Sequence, residues 1–254
     1  MEFENSLKLT KLSFFVSGID LGDSKIMDYL FYFNIFWIYT DVVAEFCWLI
    51  EGIRNNERLD ELSMVAPCTT MCLLATAKSF NMFYYKNILK SAITKLREIH
   101  PVDLEEGVER GIVKESIKFL NKVVFVLTLC TVVVVVNFNM LPLMMMVYDY
   151  YCFGETDLKL PFLSKYFFDA YANVLIWGFM YFHQIWSTVL VCMKVHATDT
   201  LFYAFSTYIR MHFRILCHRF EDHLAYFLGF STSNEDKVNE KIKLLCPSVR
   251  QIYV

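Results

Sequence analysis

Residues 122–149, KVVFVLTLCTVVVVVNFNMLPLMMMVYD, contain no Asp, Glu, Lys, Arg or His between Lys122 and Asp149. As a helix rising roughly 1.5 Å per residue, that interval reaches about 39 Å, against a bilayer core of about 30 Å. A buried strand is excluded by length and by Pro142, which would remove a ladder donor from its middle. A membrane helix tolerates an isolated proline. The pattern therefore predicts a span over 122–148. A second clear span runs over 170–195, where His183 and Lys194 are the only side chains of those five types. Two further stretches are long enough to cross: 26–50, which holds Asp41 and Glu45, and 62–85, interrupted by Lys78.

The expected fold class is all-α: a polytopic helical bundle of four membrane spans. Between them lie an N-terminal segment 1–25, a loop 51–61, a basic loop 86–121 and a loop 149–169, with a tail 196–254 after the last span. In the tail, Leu201, Phe205, Ile209, Phe213, Leu216, Phe220, Leu224 and Phe227 recur mostly at intervals of three and four, with Arg210, Arg214, Arg219 and Asp222 between them. This predicts an amphipathic extension of the fourth helix, apolar on one face and solvated on the other. Phe205, Phe213 and Phe220 mark its apolar face as an assembly surface, because a stripe of that length needs a partner.

Basic residues set the orientation, since Lys and Arg are retained on the cytoplasmic side. The 86–121 loop and its flank hold Lys86, Lys90, Lys95, Arg97, Arg110, Lys114, Lys118 and Lys122, whereas the other two loops hold only Arg54, Arg58, Lys159 and Lys165. The N-terminus and the tail are then expected inside. Lys78, near the inner end of its span, is expected to snorkel to the headgroups on its four-carbon stem. Asp41 and Glu45 sit one turn apart on one helix face, towards the outer half. Carboxylates that cannot snorkel are expected to face a water-filled vestibule or a basic partner in the bundle.

Composition sharpens the picture. Of 254 residues 56% are hydrophobic and 17% aromatic, with only 8 Gly and 5 Pro, which suits helices better than a barrel of alternating strands and many turns. A net charge of −3 points to no nucleic-acid partner. The N-terminus has early acids and no long uncharged core or small-residue cleavage site, so it is not read as a secretory signal peptide, and the first span serves as its own signal. Eight scattered cysteines without a CxxC read as free thiols.

No enzyme constellation emerges. His218 and His223 are five apart and diverge around a helix, with His212 and Cys217 nearby; metal-binding helices use i, i+4. His183 stands alone in its span and reads as a hydrogen-bonded bundle histidine. No nucleophile elbow, phosphate-binding loop, dinucleotide fingerprint or histidine box is present, and neither cofactor nor metal is expected. A mixed aromatic and methionine wall in the outer halves of the last two spans suits a small apolar ligand. The candidate ligand residues are Phe138, Met145, Trp177, Met180 and Tyr181, with Thr69 and Asn139 (or Tyr181) supplying a single hydrogen bond. The clear stretches of these spans offer no counter-charge, so the ligand is expected to be neutral.

Two stretches carry a family resemblance. Asp157–Asp169 reads DLKLPFLSKYFFD, with Leu160-Pro161-Phe162 before an aromatic cluster and Asp169, and the segment after the fourth span, HATDTLFYAFSTYIRMHFRIL, opens with Asp199-Thr200-Leu201-Phe202. Both resemble the insect odorant receptor family, with a moth-like flavour; some moth receptors detect pheromones. The resemblance implies a seven-span subunit in the plasma membrane of olfactory neurons, inverted relative to G-protein-coupled receptors. It also implies assembly with a co-receptor, as a hetero-oligomer of tetrameric kind, into an odorant-gated cation channel. An odorant pocket would lie in the outer half of the bundle, and a cytoplasmic anchor of helix extensions would hold the subunits together. The present sequence stops at Val254, ahead of spans five to seven. It therefore corresponds to the N-terminal four-span portion, without the family's pore helix. Two alternative readings are a truncated assembly or regulatory membrane protein, for which co-precipitation with full-length subunits is the test, and a G-protein-coupled-type receptor, which requires an external N-terminus.

Overall fold

The uncharged runs fold as helices, and most connections between them are short. A computed structural model of the chain describes residues 8–19, 24–63, 65–99, 107–155 and 157–227. Among these are seven helices and no strand: α1 (Lys8–Ser17), α2 (Lys25–Arg54), α3 (Leu59–Ser63), α4 (Val65–Tyr84), α5 (Lys86–Ile99), α6 (Val108–Phe153) and α7 (Val174–Phe227). Three of them, α2, α6 and α7, are long and apolar enough to cross a membrane. The chain is thus all-helical with three candidate spans. The remaining expected span, 62–85, corresponds to α4, a helix of 20 residues that is not among the three.

The helices outrun the apolar runs that predicted them. α6 starts at Val108 rather than Lys122, so the basic 86–121 segment is largely helical, and α7 continues unbroken past Val195. Pro142 is accommodated inside α6. It leaves the Phe138 carbonyl without its helical donor, and one residue on, the Tyr181 hydroxyl donates to the Asn139 carbonyl.

α1, not anticipated from the hydrophobic pattern, buries Thr10, Ser13, Phe14 and Ser17. The chain turns after it at Gly18 (φ +76°), where a Cβ would stand 2.6 Å from the Phe31 backbone nitrogen, so no side chain fits. Asn34 Nδ2 donates to the Val16 carbonyl at 3.1 Å. Lys194, fully buried, donates to the Ser17 carbonyl at 3.2 Å and lies 4.7 Å from the centre of the Phe31 ring. A buried ammonium needs such partners. His196 bonds Ser13 Oγ at 2.9 Å and Thr128 Oγ1 at 3.0 Å, joining α1, α6 and α7 in one polar node.

Among the described residues, those within 8–99 and 120–204 form one compact unit, and those within 107–119 and 205–227 another. The core of the first is Ile38, Val42, Ala75, Leu190 and Val191, with Val16, Trp37, Cys72 and Val195 packed on it; between membrane helices such contacts act through close van der Waals packing. Lys78, expected to snorkel, has its ammonium 2.5 Å from Asp199 Oδ1 on α7, a partly exposed pair inside this unit.

In the second unit, Arg219 grips Glu109 through two bonds of 2.7 and 2.9 Å, and Arg214 reaches Glu115 at 2.9 Å. The hydrogen bond from Arg219 holds the Glu109 carboxyl below its ordinary 4.5. These two arginines, expected on a solvated face, are thus bound. α6 buries Ile112, Val113 and Ser116, and α7 buries Thr207, Tyr208, Met211 and Ile215. The apolar stripe foreseen for assembly lies elsewhere on α7: Ile209, Phe213, Leu216 and Phe220 are 51%, 63%, 60% and 63% exposed, while Phe205 is half-buried. The Phe227 side chain and the tail beyond it, including Lys237, Lys241, Lys243 and Cys246, lie outside the described residues.

Candidate functional site

Helical spacing brings a set of otherwise unrelated side chains around one cavity of about 120 Å³ in the first unit. α2 supplies Asp41 and Glu45, α4 supplies Pro67, Cys68, Met71 and Cys72, and α6 supplies Val134 and Phe138. α7 contributes Ser187, Thr188, Val191 and Cys192, and Phe162 closes the wall from the loop before α7. Each helix donates residues at i, i+1, i+4 or i+5, the spacing of one face.

The loop is anchored by Gln184, which is fully buried. Its Oε1 accepts from the Phe162 N–H at 3.0 Å, and its Nε2 donates to Ser164 Oγ at 2.7 Å and to the Tyr166 oxygen at 3.0 Å. Lys165 adds a backbone bond to the Ala44 carbonyl at 2.9 Å and an ion pair with Glu51. Phe162 is thereby held against Phe138, ring centres 6.2 Å apart.

The acids of the lining come from α2. Asp41 and Glu45 are 6% and 4% exposed. Glu45 Oε2 accepts from Thr69 at 2.8 Å. Asp41 Oδ1 accepts from the Tyr166 hydroxyl at 2.9 Å and stands 2.9 Å from His183 Nδ1, within ion-pair distance although the ring N–H is off the line of a hydrogen bond. Burial raises the Tyr166 phenol above its ordinary 10, with the Asp41 charge adding to the shift, so this loop tyrosine stays protonated and donates. His183 is held across α2 and α7: its Nε2 is 3.0 Å from Thr40 Oγ1, and its backbone carbonyl accepts from Trp37 Nε1 at 3.3 Å. Asp41 and Glu45 thus line a cavity, and Asp41 has His183 as a basic neighbour.

Of the ligand residues expected from sequence, Phe138 is in the wall, and Thr69 touches it through Glu45. The other five are not among the lining residues. Asn139 and Tyr181 bind each other, 2% and 5% exposed, and Met180 is buried at 4%. Trp177 Nε1 donates to the Lys159 carbonyl at 3.0 Å, tying the loop to α7. Met145 is 48% exposed. α6 and α7 pack on each other at Asn139 and Tyr181, and the open space falls about two to three turns further along α7, at Ser187 to Cys192.

Pro67, Met71, Cys72, Val191 and Cys192 carry no signal that distinguishes them from packing residues. Gln184 did carry one: a lone amide beside His183 in an otherwise apolar span. Elsewhere, His218 Nδ1 is 3.0 Å from Asp222 Oδ2, and among the described residues no group of three or more His, Cys, Asp or Glu is placed to hold a metal. The seven described cysteines are free thiols.

Comparison with known sequences gives this architecture its family. Odorant receptor 67c of Drosophila melanogaster is 26% identical over 225 residues, covering 84% of this chain and 54% of the relative. A second Drosophila melanogaster protein, also described as an odorant receptor, is 25% identical over 197 residues, or 77% of this chain and 47% of the relative. The chain spans about half the length of the curated relatives it matches. The family described as 7tm Odorant receptor matches residues 58–251, from the connection after α2 through α7 and beyond. The resemblance carried by DLKLPFLSKYFFD and HATDTLFYAFSTYIRMHFRIL falls inside that match, and the chain, an apolar helical membrane protein, belongs to the 7tm odorant receptor family.

Proposed function

We propose that the chain is a receptor subunit that takes a small volatile, an odorant or pheromone, in the cavity between α2, α4, α6 and α7. In this reading it acts with a co-receptor subunit, as a hetero-tetramer, to gate a cation channel in the plasma membrane of olfactory neurons. The observation that carries it is the cavity itself: apolar over Met71, Val134, Phe138, Phe162 and Val191, with Asp41, Glu45, Ser187 and Thr188 the few polar residues of its lining. Mostly apolar walls with a few placed polar groups are what small-ligand sites use. α4 serves as a fourth crossing, with the N-terminus cytoplasmic. Thr69, Asn139, Met145, Trp177, Met180 and Tyr181 form the shell that fixes the wall. The exposed stripe of Phe213 and Phe220, with Phe205 at its edge, forms the contact with the partner subunit.

The test is co-expression with a co-receptor and recording of odorant-evoked currents. Phe138→Ala and Met71→Trp should shift sensitivity by tenfold or more while currents evoked through the co-receptor alone stay unchanged. Insensitivity of the odorant response to both substitutions would place ligand binding elsewhere.

A further inference from the structure

Resting on the reading of α4 as a crossing that ends on the cytoplasmic side, we infer that α5 docks on the inner leaflet through the headgroups of anionic phospholipids. Two helices mark the level at which the membrane ends. Tyr29 and Tyr32 near the start of α2, and Tyr84 and Tyr85 at the end of α4, are all exposed, and tyrosines gather at membrane–water interfaces. The two helix ends are held in register: Phe31 stacks on Phe83 with ring centres 4.3 Å apart, and Lys86 pairs with Asp28 at 2.8 Å. α5 therefore begins at the interface, directly after Tyr85.

From there its faces divide. Leu89, Ala92 and Leu96 are half-buried and Ile93 is buried, whereas Asn87, Lys90, Ser91, Thr94, Lys95 and Glu98 line an open hollow of about 350 Å³. The helix carries Lys86, Lys90, Lys95 and Arg97 against the single acid Glu98. A basic cluster on an amphipathic helix just cytoplasmic of a span is attracted to the negative surface of that leaflet. A phosphate needs donors, and the hollow gathers two ammonium groups, the Ser91 hydroxyl and the Asn87 amide. Ile88, 67% exposed, stands seven residues before Lys95 and so on its side of the helix. An exposed aliphatic beside the lysines suits the headgroup–acyl boundary, which a soluble anion does not offer.

The experiment places the full chain in nanodiscs of phosphatidylcholine, with and without about one-third phosphatidylserine, and follows amide exchange over residues 86–99 by mass spectrometry. Phosphatidylserine should slow exchange there about fivefold or more, the scale of one lysine at an anionic surface. Salt at about 1 M, where screening shortens to about 3 Å, should erase the effect. Lys90→Gln with Lys95→Gln, both exposed positions, should lose the response, and Lys90→Arg with Lys95→Arg should keep it. Equal exchange in the two bilayers, or a response that survives the paired Gln substitutions, overturns the inference. So does equal slowing by soluble glycerophosphoserine, which makes the hollow a site for a free anion, and so does protection that needs an added co-receptor, which makes α5 a protein contact. A glycosylation acceptor placed between α5 and α6 separates the two levels. Its modification in microsomes overturns the cytoplasmic placement of α5 and the lipid site together, whereas an unmodified acceptor without a lipid response overturns the lipid site alone.

Discussion

Gln184→Ala is the substitution that should undo the cavity without touching its lining. The amide makes three short bonds to the loop, to the Phe162 N–H, Ser164 and Tyr166, at 3.0, 2.7 and 3.0 Å, and a long one to the Phe162 carbonyl at 3.5 Å. Each contributes about 0.5–1.5 kcal/mol net, so their joint loss removes roughly 3 kcal/mol from loop docking. At about 1.4 kcal/mol per decade, that raises the open population of the loop about 100-fold. Amide exchange over residues 162–166, followed by mass spectrometry, should accelerate by that factor, while the amides of α2 and α7 keep their protection. Ser164→Ala, which removes one bond, should accelerate it only several-fold. If Gln184→Ala leaves loop exchange unchanged, the loop is held by Lys165 through Ala44 and Glu51, and Gln184 is not the anchor.

Three further outcomes follow from the same geometry. Phe213→Glu with Phe220→Glu alters two side chains that are each 63% exposed; thermal stability of the isolated chain should change by less than about 1 kcal/mol, whereas co-precipitation with a co-receptor should be lost. Thr69→Val removes the donor to Glu45 Oε2 and leaves a buried carboxylate oxygen bare, so unfolding in detergent should come about 1–3 kcal/mol sooner; an unchanged midpoint would mean that water already serves Glu45. The Glu109 carboxyl is depressed below 4.5 by Arg219, so its contribution is present above that pH and lost as pH falls through the lower folded value. Acid exchange measurements on the first turns of α6 should show protection persisting to below pH 4.5 in the native chain, with Glu109→Gln flattening that dependence by at most about 1 kcal/mol.

Hydrophobic length alone made α6 and α7 legible, because the uncharged run between Lys122 and Asp149 and the stretch 170–195, interrupted only by His183 and Lys194, leave few alternatives to a helix. It did not show where those helices end. α6 begins at Val108 and α7 runs to Phe227 through residues whose helicity is supported by pairs such as Glu109 with Arg219, distant in sequence and invisible to a local window. α1 escaped notice because its buried face is Thr10, Ser13, Phe14 and Ser17, mostly polar, and is covered through His196 and Lys194 from far along the chain. For the site, Phe138 was legible as an aromatic in a span. Trp177, Met180 and Tyr181 look the same in sequence, and helix rotation, set by the Tyr181–Asn139 contact, decides which aromatics face the cavity.

The charges tell more than the aromatics once their partners are known. Reasoning from α6 and α7 alone predicts a cavity without charge, since neither span carries an acid there. The acids arrive from α2, which that reasoning left out, and they reach the cavity because one turn separates Asp41 from Glu45. Burying an acid or a base is costly without compensation, and three titratable side chains of the first unit find partners internally: Lys78 with Asp199, Lys194 with the Ser17 carbonyl and the Phe31 ring, Glu45 with Thr69. Only Lys78 meets an opposite charge, on Asp199; Lys194 and Glu45 are held by neutral groups, so the burial of charge in this unit rests on residues far apart in sequence rather than on neighbours along one helix.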